Sequence, residues 1–285
     1  ITLDYRSLPI APGIEACVAD ISDKGWSLFA LGDDLQRQVS TAYEAAKAFF
    51  DLDQKSKQAC VLPYGCGYTP FGREHSGNPA LPDRVEIFAA SARTQNVALD
   101  LPCGAGCDLH ARMMEVFHSL EMIAEDIMRG VARTVALDAS EQKLAGGLHR
   151  WSQLQFNRTI LTEPGQFINT AHEDGHLLTF AHANGRGLEI MTGSSVLEPD
   201  RTSTAFTVMP GAILSLLTGG EIPPLYHQVR AHSRSEHRLS LLFFADLDPQ
   251  LCEPWKKTSA NRDIDIASRV LGNARRFGMD GFPPD

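Results

Sequence analysis

The stretch from about residue 148 to residue 246 is a series of short apolar segments separated by turn signals. Leu188–Met191 and Ala205–Met209 are typical segments of four or five residues, and Asn184–Gly187 is typical of the turns between them. Strands of this length at this spacing are typical of β-sandwiches and jelly rolls. The pattern therefore predicts a mainly β fold with a double-stranded β-helix, or jelly-roll, core.

Helices are predicted on both sides of this core. A short strand over Gly25–Leu31 precedes a helix that is capped by Asp33 and runs to about Phe50, in which apolar residues recur every three or four positions. A longer helix is predicted over Leu109–Val135, and a last one at about 263–277. The stretch 63–100 is rich in glycine and proline, and we expect it to be mostly loop.

Composition limits the class of protein. A chain of 285 residues, 43% of them hydrophobic, can bury one large core. We therefore expect a single domain with an N-terminal helix and strand region (1–147), the jelly-roll core (148–247) and a helical tail (248–285). The net charge of −9 argues against a nucleic-acid partner, and six irregularly spaced cysteines favour reduced thiols. With no apolar run near the roughly 20 residues of a membrane helix and no visible secretory signal, we expect a cytoplasmic protein without a membrane partner.

Residues His172–His176, with the sequence HEDGH, contain two metal-binding motifs that require different backbones. H-E-x-x-H on a helix places two histidines on one face as zinc ligands, with the glutamate, here Glu173, as the general base of a hydrolase. H-x-D on a strand places His172 and Asp174 on one face, as two ligands of a 2-His-1-carboxylate iron(II) site. The residues around the motif decide between these alternatives.

Those surrounding residues favour the strand. Pro164–Gly165 lies upstream, and Gly175 lies inside the motif, where a helix-interior glycine costs about 1 kcal/mol relative to alanine. Leu177–Phe180 has the composition of a short buried strand. On a strand Glu173 faces away from the iron ligands, so we assign it no chemistry, and we expect His176 to be structural.

The third iron ligand must come from a distant strand, and His227, 53 positions after Asp174, is the candidate. Two imidazoles and one carboxylate leave three positions of an octahedral iron for a bidentate co-substrate and dioxygen. Arg238 and Ser240 lie two residues apart on an apolar segment, so on a strand they share a face. An arginine fork beside a hydroxyl suits the carboxylate of a small dicarboxylic acid.

Taken together, these residues resemble the isopenicillin N synthase-like family of Fe(II)/2-oxoglutarate-dependent oxygenases. The resemblance extends over nearly the whole chain, and its specificity comes from the order and spacing of several motifs. Besides the triad and the R-x-S pair, the matching segments are Gly25–Phe29, Ala48–Leu52 with Lys55 and Lys57, Gly67–Pro70 with Gly72 and Glu74, and Pro82–Asp83 with Glu86 and Phe88.

The resemblance implies a non-haem dioxygenase that binds Fe(II) through His172, Asp174 and His227. It also implies that 2-oxoglutarate chelates the iron and places its distal carboxylate on Arg238 and Ser240. Dioxygen would convert 2-oxoglutarate to succinate and CO₂ while a small-molecule substrate is oxidised. Hydroxylation is the default outcome, with desaturation, cyclisation and epoxidation as known departures in the family.

Other site residues follow from the same resemblance. Family members often have N-x-Y-P on the strand before the triad; here Asn157 is present, which makes it a candidate contact to 2-oxoglutarate, but Thr159 replaces the tyrosine. Arg158, Tyr68 and Arg73 are candidate substrate-binding residues, and His75, in the same loop-rich stretch as Tyr68 and Arg73, is a further one, because loops at a barrel mouth set specificity.

The alternatives are an iron oxidase of the same fold that does not use 2-oxoglutarate, a zinc hydrolase built on H-E-x-x-H, and a non-catalytic jelly-roll binding protein. The sequence does not indicate the substrate or the oligomeric state.

Overall fold

The computed structural model describes residues 12–102, 104–135, 151–160, 162–199, 204–232 and 237–277. Within these residues eleven strands form a seven-stranded and a four-stranded sheet. The strands are β1 Ser27–Ala30, β2 Gly67–Thr69, β3 Val85–Ala90, β4 Gln153–Thr159, β5 Phe167–His172, β6 Leu178–Ala183, β7 Leu188–Thr192, β8 Ser195–Leu197, β9 Ala205–Pro210, β10 His227–Arg230 and β11 Leu239–Ala245. The helices are α1 Pro12–Lys24, α2 Asp33–Phe50, α3 Gln54–Gln58, α4 Gln95–Ala98, α5 Gly104–Val135, α6 Ala212–Leu217 and α7 Ile266–Arg276.

The two sheets enclose a cavity, as the predicted jelly roll requires. The larger sheet has the order β1-β9-β6-β11-β4-β3-β2 and the smaller one the order β5-β10-β7-β8. All the strand pairs in both sheets are antiparallel. Side chains of β4, β6, β9 and β11 from one sheet and of β5, β7 and β10 from the other line the same cavity.

Strand alternation gives the larger sheet one apolar and one polar face. On β4, Leu154 and Phe156 point into the hydrophobic core beneath the helices, whereas Gln155 and Asn157 line the cavity. Helix α5 packs against β3, β4 and β11, and Phe117 of α5 meets Phe243 of β11 edge to face, with ring centroids 5.4 Å apart. Each fully buried phenylalanine of this kind contributes about 1.5–3 kcal/mol of transfer free energy. The helical layer therefore stabilises one face of the sheet. The opposite face of the sheet is left to line the cavity.

Most of the predicted elements are confirmed, with shifted ends. The helix predicted after a cap at Asp33 is found over Asp33–Phe50, with Gly32 rather than Asp33 at the N-cap, and the long helix begins at Gly104 rather than near Leu109. The predicted loop region 63–100 is partly wrong, because it contains the strands β2 and β3. All six residues of β3 are buried, so its sequence lacks the polar and apolar alternation that identifies a half-exposed strand. In the described residues, no helix is long and apolar enough to cross a bilayer.

Candidate active site

The candidate metal ligands are brought together by the pairing of β5 with β10. His172, the last residue of β5, is the direct cross-strand partner of His227, the first residue of β10. Asp174 follows two residues after the end of β5, where its backbone carbonyl accepts a hydrogen bond from the amide of Ala212 (2.8 Å). One ligand atom from each of the three residues lies within 4.8 Å of the other two. The strand therefore ends at His172, two residues earlier than a strand over the whole H-x-D motif would. The carboxylate of Asp174 still lies close to both imidazoles.

The orientation of the two imidazoles suits metal binding through Nε2. The Nδ1 atoms of His172 and His227 lie 2.7 Å and 3.3 Å from the backbone carbonyl oxygens of Thr170 and Leu225. With a proton on Nδ1, each ring donates to its carbonyl and leaves the Nε2 lone pair for a metal. The Nε2 atoms lie 3.5 Å and 3.8 Å from the carboxylate oxygens of Asp174. This donor set fits the facial triad of a non-haem Fe(II) centre.

The electrostatics of the triad keep its carboxylate ionised. Burial by itself would raise the pKa of Asp174, but His227, His172 and the hydroxyl of Thr179 together bring that pKa well below its usual value. The hydroxyl of Thr179 donates to Asp174 Oδ2 at 2.5 Å. Burial would lower the pKa of His172, but its contact with Asp174 raises that pKa to about 9. Asp174 is therefore held as an anion that is ready to bind a cation.

The predicted 2-oxoglutarate anchors line the same cavity as the triad. Asn157, Arg238 and Ser240 all contribute to its wall, and Ser240 is the cross-strand partner of Asn157 between β11 and β4. The guanidinium of Arg238 donates to the hydroxyl of Ser240 and to the backbone carbonyls of Gly185 (3.3 Å) and Arg186 (2.9 Å). These contacts hold the fork in place beside a hydroxyl, the arrangement that suits a carboxylate ligand.

Two further observations fit a ligand at these anchors. Asn157 Oδ1 is buried and has no hydrogen-bond partner among the described residues, although buried polar atoms are nearly always paired. A Cβ atom on Gly185 would lie 3.2 Å from Cγ of Arg238, so a larger residue here would push against the arginine. The residues present therefore fit 2-oxoglutarate as well as Fe(II).

The structure corrects the predicted substrate-side positions of Arg158 and Tyr68. Both side chains lie on the face of the larger sheet that points away from the cavity. Arg158 does so because it alternates with Asn157 along β4, and Tyr68 packs in the hydrophobic core beside its cross-strand partner Phe88. Arg158 Nε lies 2.6 Å from Glu86 Oε1, and the hydroxyl of Tyr68 donates to Glu86 Oε2 at 2.6 Å. Lys57 donates to the same carboxylate at 2.8 Å. These residues form a buried ion-pair network that joins the helical layer to the sheet.

Arg73, the third predicted substrate residue, is exposed and does not line the cavity. The next three residues of its loop, Glu74, His75 and Ser76, do line it, together with Asp83. Of these four residues, the sequence predicted a substrate-side position only for His75 and gave Glu74, Ser76 and Asp83 no role at the site. Of the missed residues, Gln155 was open to prediction, because it shares a strand face with Asn157.

The H-E-x-x-H alternative is not supported by the geometry. Residues 173–177 contain no helix, and His176 Nδ1 lies 2.9 Å from Asp246 Oδ2 with its ring stacked on Phe244. Glu173 accepts a hydrogen bond from Arg276 at 3.2 Å and does not line the cavity. Throughout the described residues, the triad is the one cluster of metal-ligating side chains.

Comparison with known proteins agrees with this site. Residues 151–246 match the model of the 2OG-Fe(II) oxygenase superfamily. No curated protein matches the chain. A Neurospora crassa protein crystallised with alpha-ketoglutarate (2-oxoglutarate) and 5-formyluracil has a similar fold, with a TM-score of 0.73 and 14% identity over 93% of this chain and 90% of that one.

Two other solved structures have a similar fold. A Caulobacter crescentus protein described as a 2OG-Fe(II) oxygenase family member has a TM-score of 0.70 and 20% identity, over 93% of this chain and 94% of that chain. A rice dioxygenase for auxin oxidation has a TM-score of 0.62 and 19% identity, over 81% and 76% of the two chains. At these identities the structural likeness establishes the jelly-roll fold alone.

The domain match and the triad together identify an oxygenase enzyme. Residues 151–246 form a domain of the 2OG-Fe(II) oxygenase type, for which Fe(II) and 2-oxoglutarate are the cofactors, and His172, Asp174 and His227 provide a site that fits the iron.

Proposed function

We propose that this chain is a dioxygenase of the isopenicillin N synthase-like type that oxidises a small molecule, by hydroxylation as the default reaction. The observation that carries the proposal is the convergence of two predicted groups on one cavity. The iron ligands His172, Asp174 and His227 are on the side of the smaller sheet and the anchors Arg238 and Ser240 on the side of the larger one, and both groups line the same cavity. A metal-binding protein without this co-substrate has no need for the second group.

Each group of residues has a separate task. His172, Asp174 and His227 hold Fe(II), which when bound supplies the activation of dioxygen. Arg238 and Ser240 bind the distal carboxylate of 2-oxoglutarate, and Asn157, after rotation of its amide, donates from its amide nitrogen to the same ligand. Arg238 keeps its orientation through the carbonyls of Gly185 and Arg186, so little side-chain entropy is lost on binding.

The overall reaction conserves atoms and electrons. One molecule each of substrate, dioxygen and 2-oxoglutarate gives hydroxylated substrate, succinate and CO₂, with one oxygen atom in the new hydroxyl and one in succinate. Loss of CO₂ from 2-oxoglutarate supplies two electrons, and breaking the C–H bond of the substrate supplies the other two. The protein positions both organic molecules and excludes water from the cavity.

The proposal is tested by measuring succinate formation with Fe(II), 2-oxoglutarate and a panel of small-molecule substrates under air, with and without the metal. We expect succinate only when Fe(II), 2-oxoglutarate and dioxygen are all present. An iron oxidase of this fold that does not use 2-oxoglutarate would bind Fe(II) and consume dioxygen without forming succinate. Absence of succinate from protein that binds Fe(II) would therefore reject the proposal.

A further inference from the structure

The cavity wall near His172 carries two carboxyl groups that the proposed chemistry does not use. Glu74 and Asp83 both line the cavity, and the backbone amide of Asp83 donates to the carbonyl of Glu74 at 3.0 Å, which keeps the two residues adjacent. Asp83 accepts hydrogen bonds from the hydroxyl of Ser76 at 2.8 Å and 2.9 Å. Glu74 accepts through Oε1 from the amide of Gln155 at 3.4 Å. These contacts fix both carboxyl groups at the cavity surface.

The second carboxylate oxygen of Glu74 lacks a partner. Oε2 is buried, and within the described part of the chain no group donates a hydrogen bond to it. A buried carboxylate oxygen without a donor costs about 1–3 kcal/mol or more, so such atoms in a cavity mark a place where a ligand donates. Burial, together with the charge of Asp83, raises the pKa of Glu74 to about 8, and burial also raises the pKa of Asp83. The protein therefore supplies no cation at this wall that would hold the two carboxyl groups ionised, and a bound cation would supply one.

Charge balance in the loaded site leads to the same conclusion. Fe(II), the carboxylate of Asp174, the 2-oxoglutarate dianion and the guanidinium of Arg238 together have no net charge. Asp246 is paired with His176. Arg238 is the only lysine or arginine among the described residues that line the cavity. Glu74 and Asp83 consequently remain as an acidic pair for which the loaded centre has no spare cation.

We propose that Glu74 and Asp83 bind a protonated nitrogen of the substrate, so that the substrate is a small amine. This inference rests on the proposed function and specifies its substrate class. The carbon skeleton of the amine would lie against Val85 and Phe277, which line the cavity on the same side; the Phe277 ring centroid is 6.4 Å from that of His172. A carboxylate substrate would instead meet two carboxyl groups and no cation at this wall.

Matched sets of ligands test the proposal. Each set has one carbon skeleton carrying an amine, an alcohol or a carboxylate, for example phenethylamine, phenethyl alcohol and phenylpropionate, with alkyl and heteroaryl sets beside it. Binding to protein loaded with Fe(II) and 2-oxoglutarate is measured anaerobically by calorimetry. We expect the amine of at least one set to bind about tenfold or more tightly than its alcohol, a difference of about 1.4 kcal/mol. Equal or tighter binding of the alcohols or carboxylates, or no binding of any amine, would overturn the proposal.

Variants link the preference to the acidic pair. Glu74→Gln and Asp83→Asn keep the shape of each side chain and remove its charge, so the ratio of amine to alcohol affinity should fall about tenfold. Glu44→Gln is the matched control, because Glu44 is exposed on α2 and outside the cavity. A preference that survives both cavity variants would contradict the proposal. Failure of the protein to bind 2-oxoglutarate would reject the proposed function instead, while the amine preference is still measured directly.

Discussion

His172 and His227 face each other across the antiparallel pair of β5 and β10, with imidazole centroids 4.5 Å apart. This relationship comes from strand register, since a slip of one residue would turn one of the two side chains to the other face of the sheet. The metal site is therefore built on the sheet itself, and only Asp174 is supplied by an irregular segment. Sites on rigid strands hold their geometry more accurately than sites on loops.

Removal of His227 should abolish tight Fe(II) binding. The imidazole is buried and its Nε2 faces Asp174, so alanine leaves two ligands and an open space where the third was. Because loss of outer contacts alone costs 10–100-fold in metal affinity, we expect loss of a ligand to cost about 100-fold or more. Anaerobic Fe(II) titration of His227→Ala measures this effect. His237→Ala, at an exposed position, is the control, and an equal loss in both variants would refute the assignment of His227.

Substitution of Arg238 should weaken 2-oxoglutarate binding while Fe(II) still binds. Arg238→Gln removes the charged fork that we assign to the distal carboxylate, and loss of a buried charged partner costs about 2–5 kcal/mol. We expect the KM for 2-oxoglutarate to rise about 30-fold or more, measured from initial rates of succinate formation. Arg262→Gln changes an exposed arginine and should leave the KM as it is. An unchanged KM in Arg238→Gln would place the co-substrate elsewhere.

The network around Glu86 should be important for stability rather than for substrate binding. Glu86 is buried and contacts Lys57, Tyr68 and Arg158, so Glu86→Gln leaves the buried Lys57 without its anion and Arg158 with only Asp51, at 3.6 Å. Breaking a buried ion pair on one side costs about 3–5 kcal/mol of unfolding free energy. Denaturant titration measures this loss, with Glu44→Gln expected to stay within about 0.5 kcal/mol of the parent. A parent-like unfolding free energy for Glu86→Gln would show that the network adds nothing.

Glu121 of α5 should make the protein less stable above neutral pH. Burial and the neighbouring Glu125 raise the pKa of Glu121 to about 7, and its Oε1 atom is buried with no partner among the described residues. A carboxyl whose pKa is higher in the folded than in the unfolded chain favours folding while protonated, and this contribution is lost as the pH rises from about 4.5 through about 7. Glu121→Gln should therefore raise the thermal midpoint at pH 8 and lose that advantage near pH 4. An advantage of equal size at both pH values would point to packing rather than ionisation.

Sequence pattern and structure agree where a residue's role follows from local periodicity. The segment 148–246 predicts a jelly roll because its strands are short and bounded by turns. Ser240 of β11 and Arg238, just before that strand, both line the cavity because they are two residues apart in extended backbone. Strand alternation also explains why the prediction that Arg158 faces the cavity is wrong. Asn157 and Arg158 are adjacent on β4, so they cannot both point into the cavity. A stricter use of that rule would have predicted Gln155 instead of Arg158.

Other features depend on contacts that periodicity does not encode. Strand β3 is buried on both faces, so its sequence lacks alternation, and its neighbours are rich in glycine and proline. Glu74 and Asp83 lie on irregular backbone, where the direction of a side chain depends on tertiary packing. The ion-pair network of Glu86 joins residues from α3, β2, β3 and β4 that are distant in sequence.

The central claim is that Asp174, and not its neighbour Glu173, supplies the carboxylate of an iron oxygenase. Succinate formation by Asp174→Asn and Glu173→Gln, measured side by side with saturating Fe(II) and 2-oxoglutarate, tests it most directly. Both variants make the same change from carboxylate to amide, one residue apart. We predict that Asp174→Asn forms succinate at less than about 1% of the parent rate, a loss of more than about 2.7 kcal/mol, whereas Glu173→Gln keeps the parent rate. Loss of activity in Glu173→Gln with retention in Asp174→Asn would contradict the claim.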